Sequence, residues 1–239
     1  MYTSEAAVLK AAVNKKEEQN MSVNIAIDGP AGAGKSTIAK MIAKKLGFIY
    51  VDTGAMYRAM ALYLLRKQIQ PEAEEEINKA CEYADITIVY ENDMQQVILN
   101  GENVTSLLRT EEVGKMASAG AKNKKVRLKL VELQRNLAAK ENVVMDGRDI
   151  GTYVLPDADV KVYLTAGSAE RARRRYEELK AKGEDCNQDA IEKDIIARDE
   201  QDMNREFAPL KQAEDAVLID SSNMSIEEVT EAIIALYQK

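Results

Sequence analysis

The run Gly29-Pro30-Ala31-Gly32-Ala33-Gly34-Lys35-Ser36-Thr37 places glycines, a lysine and a hydroxyl at the spacing G-x-x-x-x-G-K-S. That spacing suits a polyphosphate cradle. Glycines let the chain turn tightly enough for successive backbone N–H groups to point at one anion. A helix opening at the end of the loop adds unpaired N–H groups and the positive end of its dipole. Lys35 then reaches the outer phosphates as a point charge, and the Ser36 hydroxyl is placed to ligate Mg²⁺. The motif is informative between a strand and a helix. Both are expected here, from the apolar run Ile25-Ala26-Ile27 and the good helix formers of Ile38–Leu46. A nucleoside triphosphate site follows from this stretch.

Other groups suited to phosphate chemistry recur further along. Asp28, Asp52, Asp146 and Asp220 each close an apolar run. Ligands of parallel α/β sheets bind outside the carboxyl ends of the strands, so at least the first three acids are expected to line one site. Asp146 can hold Mg²⁺ directly or through water, or serve as a cap or loop acid. Arg58, Arg109, Arg127, Arg148, Arg198 and Arg205 fall at loops and helix starts near those strand ends. Each alone reads as a surface charge paired with an acid. Together they read as a second anion site facing the phosphate loop, because a guanidinium fork binds phosphate oxygens in pairs. Arg171, Arg174 and Arg175 share a charged helical face. They read either as a solvated face paired with Glu170, Glu177 and Glu178, or as a mobile lid that neutralises a transferring phosphoryl group.

The elements that must position these groups alternate. Strands are expected at Phe48–Asp52, Asn142–Asp146, Val160–Leu164 and Ala216–Asp220. Helices are expected over 55–67, about 72–83, from about Thr110 with a break near Lys122–Lys125 and on to Lys140, 168–183, 188–204, and from a Ser225-Ile-Glu-Glu228 capping box to about Tyr237. Strands separated by helices imply α/β architecture, a parallel sheet with helices on both faces. Ile86–Tyr90, Gln96–Leu99 and the turn signal Asn100-Gly101 add a small antiparallel β insert. Residues 5–13 can form a short helix, and 14–20 read as a solvated linker ahead of the first strand. Met56, Met60 and Met116 read as core filler.

Composition narrows the field. The 239 residues suit one α/β domain with small insertions, and a net charge of −7 argues against a general nucleic-acid binder. No apolar run approaches membrane-spanning length. There is no histidine, which removes His-based acid–base catalysis and His-metal sites. The two cysteines, Cys81 and Cys186, lie far apart and suggest reduced bystanders in a cytoplasmic protein.

Five stretches together resemble the bacterial cytidylate kinases, a family of P-loop nucleoside monophosphate kinases. They are IDGPAGAGKST (Ile27–Thr37), VDTGAMYR (Val51–Arg58), LRTEEV (Leu108–Val113), DGRDIGT (Asp146–Thr152) and RDEQDMNREFAPL (Arg198–Leu210). The resemblance covers nearly all of residues 21–239 and leaves residues 1–20 as an N-terminal extension without counterpart. Lys124-Lys125 replaces a loop that often carries proline in the family. The resemblance implies a single kinase domain with a five-stranded parallel core, a monophosphate-binding insert at about 85–104 and a helical lid at about 168–183. It implies transfer of the γ-phosphate of ATP to CMP or dCMP, with Mg²⁺, by a monomer. By matching position, Arg58, Arg109, Arg148 and Arg205 would hold the acceptor's phosphate. Ser118, Arg127 and Asp149 would contact cytosine, Arg198 and Asp202 the ribose, and Thr53 would line the same pocket. Lys35, Arg148, Arg171 and Arg174 would carry catalysis, and Arg175 would join residues 29–37 in binding ATP.

Two other readings compete. Another P-loop kinase acting on a sugar, shikimate or coenzyme precursor is disfavoured by the phosphate-fitting arginines. A nucleotide-dependent switch is disfavoured by the absence of an N-K-x-D guanine motif.

Overall fold

The computed structural model describes residues 22–92 and 94–238. In chain order the strands and helices are β1 (Asn24–Asp28), α1 (Lys35–Leu46), β2 (Ile49–Asp52), α2 (Thr53–Arg66), α3 (Glu74–Tyr83), β3 (Ile86–Glu91), β4 (Met94–Leu99), β5 (Glu102–Asn103), α4 (Glu111–Gly120), α5 (Lys124–Ala138), β6 (Val143–Gly147), β7 (Val160–Thr165), α6 (Ser168–Ala181), α7 (Gln188–Asn204), β8 (Val217–Asp220) and α8 (Ile226–Tyr237). The expected helix at 5–13 and linker at 14–20 lie outside the described residues. Among the described residues no helix is long and apolar enough to cross a membrane, and Cys81 and Cys186 are free thiols.

The major sheet has five strands in the order β2-β6-β1-β7-β8. Pairing is parallel at β6–β1, β1–β7 and β7–β8. Strands covered on both faces need apolar residues throughout, and Ile25, Ala26, Ile27, Val143, Val144, Met145, Val162 and Leu164 are all buried. Helix α1 packs Ile38 and Ile42 inward, and α8 adds Val229 and Ile233. Ser225 and Glu228 close the expected capping box of α8.

By contacts the chain forms two compact units, one of residues up to Ile49 and from Ala138 onward, the other Tyr50–Leu137. Strand β2 straddles the division. In the second unit β3, β4 and β5 pair antiparallel. The turn before β5 runs through Asn100 and Gly101 at φ 49° and 83°, the conformation that made Asn-Gly a hairpin signal. Met56, Met60 and Met116 are buried as core filler.

Three local features depart from the sequence reading. Helix α2 opens at Thr53 rather than Ala55, because the Asp52 side chain caps it by accepting from the Ala55 N–H at 2.8 Å. The break before α5 is short, because the Asn123 side chain accepts from the N–H groups of Lys125 and Val126 at 2.9 and 3.0 Å. After β6, residues Ile150–Val154 form a single wide π-turn, which no hydrophobic period announces.

The start of the phosphate loop is fixed by close packing. Gly29 has φ +148°, and a Cβ there would lie 1.9 Å from the carbonyl oxygen of Leu164 in β7. A side chain would force the central strands apart. Gly29→Ala is therefore expected to lose about 1–3 kcal/mol of stability, the usual cost of overpacking. Chemical denaturation measures it, and wild-type stability would show that β7 yields without cost.

Candidate functional site

The first unit assembles the phosphate cradle. Strand β1 ends in Asp28, the loop follows, and Gly34 enters α1 in the left-handed region at φ 86°. Lys35 is buried, and its ammonium donates to the carbonyl of Pro30 at 2.7 Å. Burial lowers its pKa from 10.5 to about 7, and the Arg148 charge pushes it the same way, while Asp146, Asp28 and Asp202 oppose the shift. Ser36 donates its hydroxyl to Asp146 Oδ2 at 2.9 Å. Two hard oxygen donors thus meet where the loop enters its helix. That arrangement suits Mg²⁺, which takes one or two protein ligands and completes its octahedron with water and phosphate oxygens.

Two of the three expected lid arginines lie beside this loop. A Cβ on Gly32 would sit 3.3 Å from Arg171 Cβ, and one on Gly34 4.0 Å from Arg174 Nη1. Arg171 is buried; it donates to the carbonyls of Ala166 and Ala31 at 2.8 Å each and pairs with Asp199 at 2.7 Å. Arg174 pairs with Glu170 at 2.9 Å and donates to the Ser221 carbonyl at 2.8 Å. Arg175 pairs with Glu178 at 2.8 Å with both side chains about half exposed. Arg175 thus pairs within its own helix, whereas Arg171 and Arg174 lie at the phosphate loop.

Behind β6 lies a cluster of alternating charge. Arg148 pairs with Asp202 at 2.9 Å, and Arg205 approaches Asp149 at 3.2 Å and Asp202 at 3.8 Å. Arg205 also donates to the Ala208 carbonyl at 2.5 Å. The rings of Tyr153 and Phe207 meet edge to face at 4.9 Å, tying the two segments that carry these charges. Arg198, on the same helix as Asp202, is exposed.

Asp28 turns out to serve this loop. Its carboxylate accepts from the N–H groups of Ile150 and Gly151 at 2.7 Å each. Burial pushes its pKa up to about 6, although both N–H bonds pull the other way. The acid at the end of β1 thereby holds the backbone immediately after Arg148 and Asp149. Its place at a strand end was legible; its backbone partners, more than a hundred residues distant, were not.

The second unit carries the remaining expected residues. Asp52 pairs with Arg58 at 3.3 Å and Arg109 at 2.9 Å, so one carboxylate holds two guanidinium groups. Gln95 of β4 binds Asp52 through both backbone groups, accepting its N–H at 2.8 Å and donating to its carbonyl at 3.2 Å. Nothing in the sequence pattern singled out Gln95. Thr53 is buried at the start of α2. Arg127 is buried with its guanidinium 5.4 Å from the Tyr57 ring centroid, and it donates to the Ala121 carbonyl at 3.3 Å. Ser118 lies in α4, partly exposed.

Comparison with known proteins extends the picture. A family model described as cytidylate kinase matches residues 25–239. A cytidylate kinase of Caldicellulosiruptor saccharolyticus is 52% identical over 217 residues, covering 91% of this chain and 96% of that protein. One from Bacillus subtilis is 47% identical over 218 residues, covering 91% and 97%. Among solved structures, a shikimate kinase from Bacteroides thetaiotaomicron aligns with 91% of this chain and 99% of its own at 15% identity and a TM-score of 0.45.

The lowered pKa of Lys35 makes binding of a polyphosphate proton-linked. With a folded value of about 7 against 10.5, the ligand-free fold binds fewer protons than the unfolded chain, so this group adds stability as pH rises through that interval. Phosphate oxygens favour the ammonium and draw the proton back. At pH 8, ATP binding is expected to take up close to one proton, and Lys35→Met to abolish the uptake. Calorimetry in buffers of different ionisation enthalpy measures it. Zero uptake by the wild type would mean that Lys35 is charged before the ligand arrives.

Proposed function

The chain belongs to the cytidylate kinase family, and from that premise we propose how its residues divide the work of moving a phosphoryl group from ATP to CMP or dCMP. The observation that carries the assignment is the alternation of Arg148 and Arg205 with Asp149 and Asp202 in the unit that holds Lys35 and the phosphate loop. Such a cluster offers both cations for a phosphate and carboxylates for a nucleoside.

Residues 29–37 hold the phosphates of ATP, with Arg175 as a further contact once it leaves Glu178. Ser36 and Asp146 hold Mg²⁺, directly or through water for Asp146; when bound, the ion neutralises charge on the phosphate oxygens. Lys35, Arg148, Arg171 and Arg174 neutralise the group in transfer. Arg58, Arg109, Arg148 and Arg205 take the phosphate of CMP, and Thr53 lines its pocket. Arg198 and Asp202 contact the ribose, and Ser118, Arg127 and Asp149 contact cytosine. Residues 21–239 act as one monomeric, cytoplasmic kinase domain, with the insert at about 85–104 binding the monophosphate, α6 closing over the nucleotides and residues 1–20 dispensable.

The chemistry needs positions rather than a base. The acceptor is a phosphate oxygen that is already anionic near neutral pH. It attacks the γ-phosphorus in line; a P–O bond to CMP forms as the bond to the β–γ bridging oxygen breaks. No proton has to leave the nucleophile, so a chain without histidine lacks nothing for this step. Charge neutralisation and alignment supply the rate, and a closed site keeps water from replacing CMP as acceptor.

Base choice rests on Asp149. Cytosine offers an N4 amino donor where uracil offers an O4 acceptor, and an ionised carboxylate only accepts. The Arg205 guanidinium at 3.2 Å supports this role by placing a positive charge beside the carboxylate. Asp149→Asn supplies an amide that can turn to donate. Mispairing a buried polar group costs about 1–3 kcal/mol, or roughly 5- to 150-fold. The substitution is therefore expected to lower kcat/KM for CMP and to narrow the preference for CMP over UMP in a coupled assay of ADP release. Equal losses with both nucleotides would remove Asp149 from base recognition.

A further inference from the structure

Asp199 has no place in the assignment above. It lies on α7 between Arg198 and the segment carrying Asp202, yet its side chain is only 9% exposed, facing an Arg171 side chain that is 7% exposed. Its Oδ2 meets Arg171 Nη1 at 2.7 Å, and its Oδ1 accepts from the Ala31 N–H of the phosphate loop at 3.3 Å. The backbone of Ala31 is therefore held from both directions: Arg171 takes its carbonyl and Asp199 its N–H.

A guanidinium carries five N–H donors in one plane. In Arg171 the Nε donor goes to the Ala166 carbonyl and Nη1 serves both the Ala31 carbonyl and Asp199. Two carbonyl acceptors and one carboxylate, from three stretches of chain, thus hold the group in place. Nη2 has no acceptor among the described residues. The nitrogen left uncommitted belongs to an arginine packed against Gly32, where the phosphates of a nucleotide would lie.

We propose that Asp199 is a positioning residue: its carboxylate holds the Arg171 guanidinium on the phosphate loop so that Nη2 is presented to the phosphoryl group in transfer. The inference rests on the role given to Arg171 above. Asp199 itself does not touch the nucleotide. A carboxylate is required because it opposes the guanidinium charge at 2.7 Å while accepting from the Ala31 N–H. Asparagine accepts at one atom only and turns its amide hydrogens toward a donor at the other.

The test uses the full-length enzyme with saturating ATP and CMP. Asp199→Asn, Arg171→Ala and the double variant are compared in kcat, in both KM values and in melting temperature. Asp199→Asn is expected to lower kcat about 10- to 100-fold, less than the roughly 10²- to 10³-fold loss of a direct electrostatic donor, with both KM values within about threefold. In the Arg171→Ala background it should cost less than about threefold more, since residues acting as a unit are not additive. A purely structural role would lower the melting temperature without this kcat–KM split. Should Asp199→Asn fail to fold, Asp199→Glu keeps the charge but displaces the guanidinium, and the same fall in kcat is expected. Unchanged kcat in a folded Asp199 variant, or full additivity in the double variant, overturns the inference while leaving Arg171 in place. Unchanged kcat in Arg171→Ala overturns both.

Discussion

A site for polyphosphate must bury charge before any phosphate arrives, and the first unit is built around that constraint. An isolated ion in a low-dielectric interior costs several kcal/mol even after relaxation. Asp28, Asp146, Asp149, Arg171 and Asp199 are nevertheless all buried, as is the Lys35 amine, whose pKa is lowered to about 7. Each has a partner suited to its charge. Lys35 donates to the Pro30 carbonyl, Asp28 accepts two backbone N–H groups, Asp146 accepts from Ser36, and Arg171 is matched by Asp199. Burial and the Arg148 charge lower the pKa of Lys35, and phosphate oxygens would act in the opposite direction.

The same device recurs wherever arginines collect. In one unit Asp52 holds Arg58 and Arg109; in the other Asp149 and Asp202 hold Arg205 and Arg148. Guanidinium groups so restrained lose less freedom on binding an anion than solvated ones do, which lowers the entropic cost of recognition. The carboxylates also offset repulsion among the clustered cations. Arg173 and Arg175, by contrast, pair with glutamates of their own helix on an exposed face, where such pairs contribute little.

Backbone carries as much of the arrangement as side chains do. Gly29 lets β7 approach within reach of the loop's first residue, and Asp28, its neighbour, anchors the backbone of Ile150 and Gly151. One dipeptide therefore starts the phosphate loop and holds the loop that follows Arg148 and Asp149. The π-turn at Ile150–Val154 begins at these two anchored N–H groups; wide turns of this kind recur at functional sites.

Where information is local, the sequence by itself determined the outcome. The G-x-x-x-x-G-K-S spacing, the Asn-Gly turn, the Ser225 capping box and the strands with no polar face each act within a few residues, and each appears as read. Resemblance across five motifs was enough to indicate the family. What tertiary structure decided was the fate of chemically equivalent residues. Arg171 and Arg175 share a helical face and a composition, yet one is buried on the phosphate loop and the other pairs with Glu178 near solvent. Asp28 and Asp220 both end strands, but only Asp28 is buried on distant backbone, because β1 lies at the centre of the sheet and β8 at its edge. Gln95 gave no local signal, and the motif containing Asp199 gave no sign of that residue's burial against Arg171. Burial and long-range pairing are set by which segments come together, and no spacing within a single element encodes that.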